Sequence, residues 1–426
     1  MAWFFEQNMR IAETRLMELV QRSVAEATKR ICGTPKKVLL LPPDITRAHS
    51  GAGKITEQLY AILSKTADVF VMPTLGQHLP HTETQNKWMF DAIPEERILK
   101  HDWIRDVVHL GAVPADYVEA VTEGAANWAI PISVNRILFD KQWDLIINIG
   151  HVVPHEVLGF ANHNKNYFIG LGGKETICAS HMASACFGIE NNLGRLVTPL
   201  RHCFNKAETE YLRSLPDMYI MVVTGYGENG ELDLKGFYCG DDEDTYLLAA
   251  EHSREENVFI VPPLKKVVAY MQGDEFASTW VANKAIYRTR KAIANDGELV
   301  ILAPGLKRFG EQPEVDKIIR SYGYSGTDQI LRLWKEKKEL QDLTHATAHL
   351  IHGSTEGRFA VTYAPGHLSR EEMRGVNYDY LDYSKALKLY DPKKLKNGFN
   401  TLASGEEIYF IGSPSAGLWT TKDKVN

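Results

Sequence analysis

Short apolar runs alternate along this chain with longer amphipathic stretches, and the runs close on glycine or proline. Lys37 to Leu41 (KVLLL) leads into Pro42, Pro43 and Asp44, and Asp68 to Met72 (DVFVM) into Pro73 and then Leu75-Gly76-Gln77-His78. Asp144 to Ile149 (DLIINI) ends in Gly150-His151, and Glu298 to Leu302 (ELVIL) in Ala303-Pro304-Gly305. Runs this short and this rich in apolar and β-branched residues predict buried strands. Helices are predicted over Thr56 to Lys65, Asn283 to Ala294 and Asp328 to Gln341. Strand and helix in alternation predict an α/β fold with largely parallel sheets. Such folds collect their ligands beyond the carboxyl ends of the strands, which is where Asp44, His78 and His151 fall.

A chain of 426 residues exceeds one ordinary core, so two α/β domains are expected. A break between Pro262-Pro263 and Gly273, ahead of a helical segment starting at Trp280, gives a first domain over 1–268 and a second over 269–400. The strand-like run Glu407 to Ile411, in the segment 401–426, is expected to return to the first domain. Hydrophobic residues make up 44% and charged residues 24%, values of a globular protein. No apolar run reaches the roughly 18 residues that span a bilayer, and the opening MAWFFEQNMRIAETRLMELVQ lacks the basic-then-apolar layout of a signal peptide. A net charge of −6 without a basic block disfavours a nucleic-acid surface. The five cysteines are scattered and form no CxxC pair, so neither a disulfide framework nor a cysteine-zinc site is expected, and a reducing cytoplasm is the simplest compartment.

The densest polar constellation is His151 to His181, HVVPHEVLGFANHNKNYFIGLGGKETICASH, with His151, His155, His163, His181, Lys165 and Lys174. Imidazoles suit zinc, nickel, copper or iron, yet loop histidines also serve as plain hydrogen-bond partners. The HVVPH spacing is that of a zinc-protease helix, but the glutamate of that motif is missing and Pro154 opposes a helix. Asp44-Ile45-Thr46-Arg47 reads either as a helix cap or as a site in which Arg47 grips a carboxylate or phosphate. His78 sits in a tight turn at a strand end. Tyr287-Arg288-Thr289-Arg290-Lys291 is one basic helical turn, whose ordinary reading is a solvated helix face.

Taken in order, Asp44-x-x-Arg47, Gly76-x-His78-x-Pro80, Pro154-His155 with Gly159-Phe160, Lys165 and His181, and Tyr287-x-x-x-Lys291 resemble the lactate racemase family over nearly the whole chain. The most specific part is the spacing of His155, Lys165 and His181, ten and then sixteen residues apart. The resemblance implies a nickel-pincer nucleotide, a pyridinium mononucleotide with thioamide and thiocarboxylate arms, attached covalently through Lys165. His181 is then the protein ligand to nickel, and Asp44, Thr46, Arg47 and Tyr287 belong to the cofactor's surroundings. His78 and His155 become paired acid/base histidines on opposite faces of an α-hydroxy acid, with Asp44 orienting a histidine. Arg47 and Lys291 hold the substrate carboxylate, which places the active site in an interdomain cleft that closes over it.

The chemistry accounts for these residue types. The α-hydrogen of a hydroxy acid is a poor proton but can leave as hydride if the hydroxyl gives up its proton at the same time. One histidine accepts that proton, and return of the hydride with proton delivery from the opposite histidine inverts C2. Each must be neutral to accept, so activity is expected to fall at low pH. Separate biosynthetic enzymes make the cofactor and are the implied partners.

Two departures from the family pattern bear on the substrate. Ala161-Asn162-His163 stands where a Ser-Gly-Gly-like turn is usual, and Arg288 where Gln is common. Both suggest a substrate more polar than lactate. A sugar acid would use Asn162 and His163 as hydroxyl partners (an aldonate 2-epimerase), whereas malate would use Arg288; lactate is the remaining alternative. From other classes, the alternatives are a zinc- or iron-dependent hydrolase built on His151, His155 and His181, with Glu156 as the nearby carboxylate and no role for Lys165, or a non-catalytic relative that binds a nucleotide or metal.

Overall fold

The computed structural model describes residues 2–140, 142–227 and 231–425. The chain divides into two compact units, Met1–Ser180 with Arg195–Asn257, and His181–Gly194 with Val258–Asn426.

The first unit is built on a six-stranded sheet. Its strands lie among β1 (Phe4–Gln7), β2 (Lys37–Leu41), β3 (Asp68–Val71), the hairpin β4 (Val107–Val113) and β5 (Ile130–Asn135), and β6 (Leu145–His151). A small ladder β7 (Pro154–His155) and β8 (Gly159–Phe160) follows, then β9 (Asp217–Tyr226) and β10 (Leu232–Gly240). The sheet order is β1-β10-β9-β6-β2-β3; β9, β6, β2 and β3 run parallel, and β10 and β1 are antiparallel additions. Helices α1 (Glu13–Arg30) and α2 (Ala52–Leu63) cover one face, where Leu19, Val20, Ile55 and Leu59 share a core with Val38, Leu40, Ile147 and Ile149. Leu39 and Leu41 point the other way and are fully buried too, the two-sided burial that lets a parallel strand read as an unbroken apolar run.

The second unit has its own six-stranded sheet. Its strands are β12 (Leu264–Tyr270), β13 (Ile293–Ala303), β14 (Phe359–Pro365), β15 (Asp379–Tyr380), β16 (Gly398–Thr401) and β17 (Glu407–Ile411), while β11 (Val258–Ile260) pairs with β18 (Leu418–Thr420). The order is β15-β14-β13-β12-β17-β16, parallel throughout except for the β16–β17 pair. The strand β17 therefore does not return to the first unit. It pairs with β12, Val268 against Phe410, and joins the second core through Ile408 and Phe410. The helix predicted to reach Ala294 stops at Thr289, because β13 begins at Ile293. Among the described residues, no helix is long and apolar enough to cross a membrane.

Candidate active site

The parallel strands β2, β3 and β6 are neighbours, so the loops that leave their carboxyl ends emerge side by side. Asp44 follows β2, His78 follows β3, and His151 is the last residue of β6.

Asp44 uses its two oxygens differently, one for the cap reading of its motif and the other for His78. Its Oδ1 accepts from the Thr46 amide at 3.1 Å and from Thr46 Oγ1 at 2.7 Å, capping the 3-10 turn Ile45–Ser50. Its Oδ2 pairs with His78 Nδ1. Burial alone would raise the Asp44 carboxyl, but His78 and the Thr46 hydrogen bonds outweigh it and hold the group well below the usual carboxylate range. With Nδ1 committed to a carboxylate, His78 presents Nε2 for proton transfer. His81 supports the same turn: its Nε2 accepts from the Ile45 amide at 2.8 Å, and burial lowers its proton affinity. Arg47 lies on the same turn, partly exposed, with a non-helical backbone.

The loop after β6 is held differently. His151 does not face a ligand cluster. It is buried, with Nε2 2.9 Å from Thr224 Oγ1 of β9. His155 is buried on β7, and its Nδ1 accepts from the Val157 amide at 3.1 Å. That bond fits only a ring without a proton on Nδ1, so the neutral ring carries its proton on Nε2.

Asn162 and His163 both have left-handed backbones, φ 74° and 58°, and turn the chain sharply into Lys165. Their side chains turn inward. Asn162 Oδ1 accepts from the His163 amide at 2.6 Å, and the His163 ring stacks on Tyr219 and Tyr246 with centroids 4.4 and 5.4 Å away. Neither ring nitrogen of His163 has a hydrogen-bond partner, and burial pulls it down to about 4. Asn162 and His163, expected as hydroxyl partners of a substrate, instead sit at 2% exposure each and build the turn.

Residues 157–173 are all buried except Lys165, which is partly exposed at the head of a π-helical turn, Asn166–Gly170. The loops of His78 and Lys165 are tied together where the Gly76 amide donates to the Gly170 carbonyl at 2.7 Å. A Cβ on Gly76, whose φ is +58°, would lie 2.9 Å from the Ile169 oxygen, and one on Gly170 would lie 2.6 Å from Thr74 Cβ. Glycine is required there by the approach itself.

Arg201 was not singled out in the sequence. Fully buried, it donates to Phe160 O at 2.9 Å, Asn162 O at 3.3 Å and Asn164 Oδ1 at 2.5 Å, and covers the Tyr246 ring at 4.1 Å. It neutralises a run of inward carbonyls in the Lys165 loop, and nothing near it in sequence signals that role.

In the second unit the basic turn is not a solvated face: Tyr287, Arg288, Thr289, Arg290 and Lys291 are all buried, most of them on α-helix Lys284–Thr289 and its end. Lys291 Nζ donates to the Glu190 carbonyl at 3.2 Å, and burial lowers it to about 8 against the pull of Glu190. Arg290 Nε and Arg358 also engage the Glu190 carboxylate, fixing the segment that follows His181. His181 is partly exposed in the middle of helix Lys174–Phe187.

Among the described residues, no group of three or more His, Cys, Asp or Glu side chains could hold a metal. A metal held by one histidine and a tethered cofactor asks less of the chain. Lys165, the one partly exposed residue of the otherwise buried stretch 157–173, is the side chain there that could carry such a tether.

Strand-end loops, one carrying a carboxylate–histidine pair and another a partly exposed lysine, on a largely parallel sheet, define this as an α/β protein with a candidate acid/base site. Residues 6–192, a little under half of the chain, match the lactate racemase N-terminal domain. The fold is similar to that of a protein from Thermotoga maritima, with a TM-score of 0.82 at 24% identity over 98% of this chain and 100% of the other. It is also similar to the lactate racemase apoprotein of Thermoanaerobacterium thermosaccharolyticum, with a TM-score of 0.68 at 14% identity over 98% and 94%. A comparison with curated proteins gave no match.

Proposed function

We propose that the protein is an isomerase, a racemase or epimerase that inverts α-hydroxy acids at C2 with a nickel-pincer nucleotide. The observation that carries this reading is the Asp44–His78 pair beside the accessible Lys165. The match of residues 6–192 to the lactate racemase N-terminal domain supports it.

Lys165 would hold the nucleotide covalently and His181 its nickel; when bound, the group supplies a hydride acceptor. The chain's own residues do the rest. His78 Nε2 accepts the proton of the substrate hydroxyl, and Asp44, already ionised, stabilises the imidazolium that results. His155 serves the opposite face. Arg47 pairs with the substrate carboxylate, which a guanidinium grips through two parallel hydrogen bonds. Lys291 and Arg288 take substrate-side roles, and Tyr287 belongs to the cofactor's surroundings.

Because Asn162 and His163 are spent on the turn, a preference for polar substrates rests on the second unit's residues rather than on that loop. The aldonate reading thereby loses its two loop partners, and malate, which would use Arg288, and lactate stand beside it as candidate substrates.

Mass spectrometry and nickel analysis of protein co-expressed with cofactor-making enzymes test the reading. An adduct on Lys165 with bound nickel is expected. Unmodified Lys165 with tightly bound zinc would overturn it.

A further inference from the structure

His81 lies beside the Asp44–His78 pair without belonging to it, and its hydrogen bonds fix its protonation from two sides. Its Nε2 is 2.8 Å from the Ile45 amide, which can only donate, so Nε2 is bare. On the other side, Nδ1 is 3.1 Å from Asn86 Oδ1, and Asn86 Nδ2 donates to both oxygens of Glu95 at 2.9 and 3.2 Å. A carboxylate only accepts, so Asn86 turns its nitrogen to Glu95 and its oxygen to His81, which then needs a proton on Nδ1. Both ends select the same neutral form, Nδ1–H.

The local sequence builds this contact. Thr82 and Gln85 form a capping box at the start of helix Glu83–Phe90. The box brings the residue before the cap, His81, against the fourth of the helix, Asn86, positions that more often hold an apolar pair. His81 and Asn86 are both buried, and the Phe90 ring stacks on His81 with centroids 6.3 Å apart. The charged and titratable groups facing His81 are Asp44 and His78 on the side of the turn and Glu95 behind Asn86. Burial, the largest influence, and His78 push its proton affinity down against the pull of Asp44, Asn86 and Glu95. Asn86 passes on the orientation that Glu95 sets without bringing that charge onto the ring.

We propose that His81 is a positioning residue of the Asp44–His78 pair, kept uncharged by the Asn86–Glu95 relay so that it can hold the turn that carries Asp44. A charged ring would have a proton on Nε2 and could not accept from Ile45, the neighbour of Asp44 in that turn. It would also set a second cation against Asp44, in competition with His78. The relay stands on the hydrogen bonds alone; its effect on catalysis rests on the function proposed above.

Histidine ¹⁵N spectra test the relay without any ligand. With His81 assigned by loss of its signals in His81→Gln, the Nδ1–H form is expected at pH 7. Asn86→Asp combined with Glu95→Gln keeps the net charge and moves the carboxylate onto Nδ1. That exchange is expected to raise the midpoint at which His81 gains its second proton by about one pH unit or more. An Nε2–H or doubly protonated ring in the unaltered protein, or an unmoved midpoint in the exchanged pair, overturns the relay.

The acid limb of kcat on cofactor-loaded enzyme, with gluconate, malate and lactate as probes, tests the positioning. In the exchanged pair the limb is expected to move to higher pH, costing about tenfold in rate on that limb for each unit moved. Adding His81→Gln, whose amide oxygen can accept from Ile45 but cannot be charged, is expected to abolish the shift. A limb that still moves in the His81→Gln background, or that stays put while the spectra change, overturns the positioning role. Failure of the unaltered loaded enzyme to turn over any of the three acids, with the spectra as expected, also overturns it. That outcome locates the fault in the reading of the enzyme rather than in the relay.

Discussion

The loop that follows β3 and the loop that follows β6 each present a buried or half-buried histidine, yet they set its proton by different means. His78 is oriented by a carboxylate, which stabilises positive charge whenever Nε2 takes a proton. His155 is oriented by the Val157 amide, which tolerates only the neutral ring, so charging His155 requires that hydrogen bond to break. The first loop is shaped for accepting a proton from a ligand. The second, in the conformation described here, offers Nε2–H. Two histidines that a sequence motif pairs as equals are thus made unequal by what touches their Nδ1 atoms. On the function proposed above, racemisation in both directions would require the second loop to adjust while the first stays fixed.

The largest expected effect breaks the first side of that contrast. Asp44→Asn keeps a side chain that can cap the Ile45–Ser50 turn but removes the charge and reverses the tautomer His78 can adopt. A fall in kcat on the order of 10³-fold or more is expected, with KM little changed, since the carboxylate acts on the imidazolium that forms during the reaction. The Lys165 adduct should be retained. An Asp44→Asn enzyme within a few-fold of full activity would mean that His78 is not the proton acceptor.

The second side rests on architecture, and Arg201 is where it breaks. Replacing Arg201 by Met removes three donors to Phe160, Asn162 and Asn164 and strands their oxygens in the interior. A loss of about 3–5 kcal/mol in denaturant unfolding is expected, because three buried carbonyl oxygens lose their donor. Here the Lys165 adduct should be lost along with stability, the opposite of Asp44→Asn. Retention of full adduct and full stability would show that the loop does not depend on this cation.

These differences also mark what could be read from the chain alone. Asp44, His78 and the strands beneath them were legible because a short apolar run and its closing turn are contiguous, and the sheet rule then places the turn. The burial of Tyr287 through Lys291 was not, because a basic helical turn has the same composition whether water or protein covers it. The pairing of β17 was illegible for a related reason: Glu407–Ile411 suits any parallel sheet, and only its register with Val267–Ala269 decides which. His163 misled because its neighbours in sequence are polar while its neighbours in space, Tyr219 and Tyr246, come from chain segments more than fifty residues away.

The smallest expected effect sharpens the contrast within the second loop, between the histidine proposed to work and the one proposed to hold the turn. An ordinary histidine takes its proton near pH 6.5, but burial pulls His163 to about 4. Between those values the unfolded chain binds a proton that the folded chain refuses, so stability is complete above pH 6.5 and falls as pH drops toward 4. Over the 2.5 units the loss approaches about 3 kcal/mol, at roughly 1.36 kcal/mol per unit. Asp217, raised to about 7 by burial, works with the opposite sign, binding a proton in the folded state that the unfolded chain releases. That contribution is common to the protein and to His163→Phe, so it drops out of their difference. Any strain of phenylalanine at φ 58° is independent of pH and displaces the whole curve without changing its slope. The stability of His163→Phe relative to the unaltered protein should therefore rise by about 1–3 kcal/mol between pH 7 and pH 4.5, measured by urea unfolding. KM for the hydroxy acid should stay within about twofold, because a ring enclosed by two tyrosines has no face left for a substrate. A tenfold rise in KM with an unchanged stability profile would put His163 against the substrate after all.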